Sequence, residues 1–283
     1  MGPGHSRQTG PALRAGVAPV DQEGHAMRRR QRWLGTVAEI GTPAALVVVV
    51  AIWSTGTASF FFPPLPSILE SVWTLWLAGP YRGDVEASAL RGLAGFGVAT
   101  VLGISLGIAL ATLPRIARAV HPVLEFLRAM PPPVLVPFAL TLFGIANSGK
   151  IFIIVATAIW PILLNTTDGV RSVDPLVLDT SQVYRLNGWR RIWSVLLPAA
   201  SPQILTGMRT ATSITIIVTI VSELVGSFDG IGYQLLRAQR TYGMVEMWSG
   251  VIILGLAGYL ISVIFMVIDH KMLSWFHGAR GSR

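Results

Sequence analysis

The sequence predicts an all-α membrane protein: six transmembrane helices, with one polar cytoplasmic loop set between two of them. Three observations carry that expectation. Of the 283 residues, 52% are hydrophobic and 13% charged, with a mean hydropathy of +0.59, whereas a soluble domain carries about 25% charged residues. No Asp, Glu, Lys or Arg occurs in 40–69, 92–114, 129–149, 151–167 or 247–268, and a helix needs about 20 apolar residues to cross a bilayer. The basic residues are also unevenly shared. With both termini in the cytoplasm, fifteen Lys and Arg fall inside, against Arg82, Lys150, Arg237 and Arg240 outside. That is the positive-inside bias, and it leaves Arg91, Arg128 and Arg209 in or at spans.

The net charge of +8 is therefore a matter of membrane topology. A nucleic-acid groove would gather Lys and Arg on one soluble face, so no nucleic-acid partner is expected and membrane lipid is. Cysteine is absent, which excludes disulfides and thiolate metal sites. His5, His25, His121, His270 and His277 show no metal-ligand spacing, and no Gly-x-Ser-x-Gly turn occurs. No metal site and no catalytic residue are expected.

Residues 1–35, rich in Gly, Pro and Arg, read as a disordered cytoplasmic tail. Arg28, Arg29, Arg30 and Arg32 mark the inner side of the first span. The transmembrane domain is expected over 36–276, with a cytoplasmic tail at 277–283. The first apolar stretch exceeds one span and contains Pro63, Pro64 and Pro66, so a helix to about Phe60 should turn into an amphipathic helix, Ser67–Leu77. Trp73 and Trp76 suit the interface there. In the second span Gly103 and Gly107 form a small-x3-small face for close helix packing. The third contains Pro131, Pro132, Pro133 and Pro137, and a broken helix beside a transport path is expected, since proline frees backbone carbonyls that protein or water must cover. Glu125 and Arg128, three apart, are placed to pair.

Residues 210–222 give only 13 uncharged positions. The fifth span must therefore run from about Ile204 to Val225, with Arg209 near one end and Glu223 near the other. Arginine can snorkel; Glu223 should face a helix interface or an aqueous path. The sixth span follows over 247–268.

Between the fourth and fifth spans lies the loop 172–198. Asp174 and Pro175 form a helix start, a capping carboxylate followed by proline at the first helical position. Leu176, Val183 and Tyr184 recur at helical spacing to give one apolar stripe. The expected helix is Pro175–Leu186, with Asn187 and Gly188 as its stop. A second helix, Trp189–Leu197, is expected to run until Pro198 ends it. Two short helices joined by a bend suit docking on a soluble partner.

This stretch resembles the EAA loop of the permease subunits of bacterial ABC importers, E-A-A-x3-G-x9-I-x-L-P. Asp179, Thr180 and Ser181 stand at E-A-A, Arg185 at the glycine, and Val195, Leu197 and Pro198 at I-x-L-P. Elsewhere Phe62–Ser67, Arg128–Pro133, Phe143–Ile145, Trp160–Thr166, Gly169–Pro175, Gly207–Arg209, Ser222–Glu223 and Gly230–Tyr233 are similar, in order, to permeases of the nitrate/sulfonate/taurine group. The resemblance covers roughly 60–277. It implies a type I importer fold in the bacterial inner membrane, working as a dimer of permeases, identical or paralogous. Two partner ATPases would bind ATP and magnesium, and a periplasmic or lipoprotein binding protein would deliver a small solute. It implies ATPase coupling through Asp179, Thr180, Ser181, Tyr184, Arg185, Gly188, Trp189, Val195, Leu197 and Pro198. A path or gate is expected at Arg128, Pro132, Arg209 and Glu223.

Gly144–Lys150 fits G-x4-G-K, yet Ile151 stands where a phosphate-binding loop needs Ser or Thr to hold magnesium. No nucleotide cofactor is expected on this chain. An ion-gradient-driven transporter, the alternative function, would need intramembrane acid–base chains, for which only Glu223 is a candidate.

Overall fold

Proline and glycine set the frame before any long-range contact forms. Pro114, Pro132 and Pro175 each sit in the first turn of a helix, where the missing N–H has no intrahelical partner to lose. The computed structural model describes residues 60–272, with side chains to 268, all within one compact unit, Ser59–Arg283. Among the described residues every regular element is helical. They are α1 (Leu65–Ser71, continued by a π-turn at Val72–Leu77), α2 (Arg82–Thr112), α3 (Pro114–Arg128), α4 (Pro132–Phe143) and α5 (Asn147–Arg171). After these come α6 (Pro175–Val183), α7 (Gly188–Arg191), α8 (Leu197–Gly226), α9 (Ile231–Arg240) and α10 (Met244–Met272).

The core is a three-helix sandwich with α5 between α2 and α8. Its closeness follows from the sequence of α2. Gly95, Ala99, Gly103 and Gly107 recur every four residues and so share one face, all buried. A Cβ at Gly103 would come within 2.8 Å of Ile162, and one at Gly107 within 2.6 Å of Thr166 and 2.9 Å of the Leu163 carbonyl. Gly207 of α8 meets the Pro161 carbonyl of α5 in the same way, at 2.7 Å from its would-be Cβ. Backbones approach along both seams because the side chains are absent there.

Among the described residues four helices, Arg82–Thr112, Asn147–Arg171, Gly188–Gly226 and Met244–Ile268, are long and apolar enough to cross a membrane. Their outward faces carry Leu90, Leu93, Val101, Tyr259 and Leu260 exposed, as a lipid-facing surface requires. The helix break expected at the triple proline is present: α3 and α4 meet at 94°, and together they can make a fifth span. Pro131 is extended, with ψ 133°, because the residue before a proline is pushed out of the helical region. The expected first span and both expected tails lie outside the described residues, so the count of six spans and the two termini stand as expectations.

Two local expectations are corrected. Trp76 is not interfacial: it is 1% exposed, and its indole N–H donates to Ser249 of α10 at 2.8 Å, while Trp73 remains 63% exposed. The π-turn at Val72–Leu77 turns Trp76 inward. Pro198 does not end a helix, since the chain is helical from Gly188 to Gly226. The π-turn at Ile192–Leu196 widens the helix just before the proline, and such bulges relieve the clash with the preceding turn. Arg209 lies within that continuous helix. Ala211, two residues on, packs with Ala99 and Ala158, near the middles of α2 and α5.

Candidate functional sites: an exposed loop and a buried ionic cluster

The loop between α5 and α8 is built by two local devices. Asp174 caps α6, its Oδ1 accepting the Leu176 N–H at 2.8 Å, with Pro175 at the first helical position. The helix then ends at Val183, three residues short of the expected Leu186. Arg185 adopts φ 52°. The Arg185 N–H donates to the Gln182 carbonyl at 2.8 Å and the Leu186 N–H to that of Ser181 at 2.9 Å. This is the Schellman closure, whose left-handed position is usually glycine. The arginine at the motif's glycine position thus takes the glycine conformation. Gly188, φ 53°, makes the second turn and starts α7.

The motif residues divide by exposure. Ser181 is buried, its hydroxyl donating to the Leu178 carbonyl at 2.6 Å. Val195 and Leu197 are half-buried, and Leu196 joins Val170, Val173 and Ile204 in the core. Asp179, Thr180, Gly188 and Pro198 are exposed. So are Leu176, Val183, Tyr184 and Trp189, at 72%, 81%, 74% and 70%, and Trp189 meets Trp193 edge-on at 5.6 Å. A polar loop anchored by its inner face therefore displays a row of large apolar side chains to solvent.

Close to the loop, Arg128 and Glu125 pair as expected, at 2.7 Å with both side chains nearly half exposed. With His121, Trp160, Asp168 and Arg171 they line a cleft of about 190 Å³. Pro132 is half-buried in the first turn of α4.

At the opposite end of the helices lies a cluster the sequence reading did not assemble. Glu223 of α8 is 1% exposed and is held by Arg91 of α2, itself 3% exposed, at 2.8 Å. The Ser88 hydroxyl donates to the same carboxylate at 2.8 Å and the Gly232 N–H does so at 3.0 Å, so one free N–H of the first turn of α9 meets the charge, while the Ile231 N–H donates to Ser88 Oγ at 2.9 Å. Arg91 also donates to Asn147 Oδ1 at 2.7 Å and to Asp229 Oδ1 at 2.6 Å. Asp84 accepts from the Gly230 N–H at 2.6 Å and from Gln234 Nε2 at 2.8 Å. Lys150, buried, donates to Ser227 Oγ at 2.6 Å and faces Asp229 at 3.5 Å. The lysine of the G-x4-G-K stretch thus reaches across to the α8–α9 connection. A Cβ at Gly230 would strike the Glu223 carboxylate, and one at Gly232 would lie 2.6 Å from the Ile220 carbonyl. The two glycines let α9 sit on the acid.

Asp229 lies outside the spans. Partial burial works against its charge, yet the hydrogen bond and charge of Arg91, with Ser227 and Lys150 behind them, hold the carboxyl below the usual range. The signal for this cluster was available in part. A buried glutamate needs a counter-charge, and Arg91 was the cation left inside a span at the same end. Nothing in the spacing pointed to Asn147 or Asp229. The remaining expected site residue, Arg209, is exposed on α8, away from both regions.

Residues 99–272 match the sequence profile of the family described as "Binding-protein-dependent transport system inner membrane component". A putative aliphatic sulfonates transport permease of Bacillus subtilis is 30% identical over 239 residues, 83% of this chain and 87% of that one. The taurine transport system permease of Escherichia coli is 26% identical, over 92% of this chain and 98% of its own. The nitrate import permease of a Synechocystis strain is 32% identical, over 77% and 82%. Among solved structures, a chain of the MetNI methionine ABC transporter in an inward-facing conformation superposes with a TM-score of 0.60 at 17% identity. The match covers 74% of this chain and 97% of that one.

Proposed function

This chain belongs to the inner-membrane components of binding-protein-dependent transport systems and is a permease subunit of an ABC importer, and from that premise we propose how it couples and what it carries. The loop 172–198 docks in a groove of a partner ATPase on the cytoplasmic side. ATP and magnesium are bound there and not on this chain. Two permeases, this chain with a copy or a paralogue, enclose the path through the lipid bilayer, and both termini face the cytoplasm. The solute is a small oxyanion or organosulfonate, the class named for the sulfonate, taurine and nitrate relatives, delivered by a binding protein from the other side.

One observation carries the coupling: Leu176, Val183, Tyr184 and Trp189 stand out from a loop whose opposite face is fixed to the core. Exposed aromatic side chains on a rigid support are what a partner's pocket can grip. Arg128 and Pro132, at the α3–α4 elbow, are proposed to border the inner end of the path. Glu223, locked to Arg91, is proposed to hold its outer end.

Reconstitution tests the reading. With its cognate ATPase and binding protein in proteoliposomes, the chain should accumulate labelled taurine, ethanesulfonate or nitrate only when ATP is supplied on the ATPase side. Tyr184→Ala with Trp189→Ala should cut binding-protein-stimulated ATP hydrolysis by about tenfold or more, the scale of losing an aromatic anchor. Uptake driven by an imposed ion gradient without ATP would overturn the assignment.

A further inference from the structure

Arg209 has no role in either region described above, and its position is costly. It lies two residues before Ala211, which packs with Ala99 and Ala158 near the centres of α2 and α5. About 30 Å of hydrocarbon surrounds such a position, and a snorkelling arginine does not reach a headgroup from its centre without thinning the bilayer. No carboxylate lies within ion-pair distance of Arg209 among the described residues.

The neighbouring positions are polar as well. Thr206, Arg209, Thr210 and Ser213 are all exposed, and their spacing of three and four residues puts them on one face. That face points away from the core, because Ile204, Ala211, Thr215, Val218 and Ser222 on the far side are buried. The Thr206 and Thr210 hydroxyls donate to the carbonyls four residues back. The guanidinium is therefore the main free donor of the stripe. A cation with three hydroxyls is a poor lipid-facing surface and a good wall for a water-filled passage.

We propose that Arg209 is the anion-recognising residue of the translocation path, its planar fork meeting a sulfonate, carboxylate or nitrate-type oxyanion as it passes Thr206, Thr210 and Ser213. This rests on the permease reading and adds to it the residue that selects the sign of the solute's charge. A guanidinium suits planar and tetrahedral oxyanions because it can present two parallel N–H donors.

The chain has no cysteine, so single introduced thiols report cleanly. In the permease–ATPase complex in liposomes, Ser213→Cys, one turn from Arg209, should react with both sulfonatoethyl methanethiosulfonate and its trimethylammonioethyl counterpart. The anionic reagent, itself an alkyl sulfonate, should be faster. Adding Arg209→Gln should lower the anion-to-cation rate ratio by about tenfold, from one unit charge within a turn of helix in wet surroundings; Arg209→Lys should keep most of it. No reaction with either reagent would mean a lipid-facing or dry stripe, with an arginine held by lipid phosphate, and would overturn the proposal. So would a ratio unmoved by Arg209→Gln, or no anionic preference in Ser213→Cys alone. ATP hydrolysis by the same complex reports the permease reading separately. If hydrolysis responds to the loop variants while labelling shows no charge preference, only the role of Arg209 falls.

Discussion

Arg185 holds a left-handed backbone angle that costs an L-residue about 1 kcal/mol relative to glycine, and it does so to close α6 with two good hydrogen bonds. Replacing it should release that strain. Arg185→Gly is expected to slow amide exchange at Leu186, whose N–H donates to Ser181, by about fivefold, the equivalent of 1 kcal/mol; Arg185→Val should speed it. Equal exchange in all three would remove the strain account. Asp229 offers a second test. Its carboxyl is held below the usual range by Arg91, Ser227 and Lys150, so the folded state binds its proton less readily than the unfolded chain does. The stability it contributes is complete above the unfolded value, near pH 4, and is lost as pH falls through the lower folded value. Thermal melting of the detergent-solubilised protein should fall on acidification below about pH 4, and Asp229→Asn should remove part of that fall. A variant as acid-sensitive as the parent would show that the pairing contributes nothing there.

Among the elements, the long apolar helices were legible because their signal is local: stretches free of charge have a length, and the length decides. The break at Pro131–Pro133 was legible for the same reason, as was the α6 start at Asp174. The α6 end was not, because Arg185 carries no sign that it will take a glycine conformation. Pro198 misled, since a helix stop was read from one residue while the π-turn that accommodates it spans five others. Of the partners of Glu223, Arg91 was signalled by its place inside a span at the same end, while Ser88 and Gly232, 135 and nine positions away, were not; only packing brings them together. The α2–α5 seam gives a test at this scale. At Gly107 an added side chain meets the Leu163 backbone carbonyl, which cannot swing aside as a side chain can, whereas a Cβ at Gly97 meets nothing within 4 Å. Gly107→Val should lower the thermal midpoint by an amount equivalent to about 3 kcal/mol or more. Gly97→Ala should be neutral or raise it by up to about 1 kcal/mol through helix propensity. The reverse order would show that the seam is looser than its contacts.

Across the whole molecule the two regions stand at opposite ends of one rod. The helix Gly188–Gly226 has 39 residues, about 58 Å at 1.5 Å per residue. Its first turns carry the exposed loop and its last turn carries Glu223. Between them Gly207 rests against the Pro161 carbonyl, a close contact about which a stiff helix can tilt. The buried cluster joins the far ends of α2, α5, α8 and α9. Breaking it by removing one partner costs roughly 3–5 kcal/mol, so those four ends should move together when the loop is pulled. Such a lever works only if the loop meets the cytoplasm and the cluster meets the other side. In the cysteine-free chain, Tyr184→Cys should resist a membrane-impermeant maleimide in intact cells and react after permeabilisation. Arg240→Cys, at the exposed end of α9, should react in intact cells. Both sites are on the surface of the fold, so failure of either to react at all would reflect a covering partner, which stripping the binding protein or the ATPase would expose. The opposite labelling pattern would put the loop on the outer face, where no ATPase could reach it, and the lever would have nothing to pull.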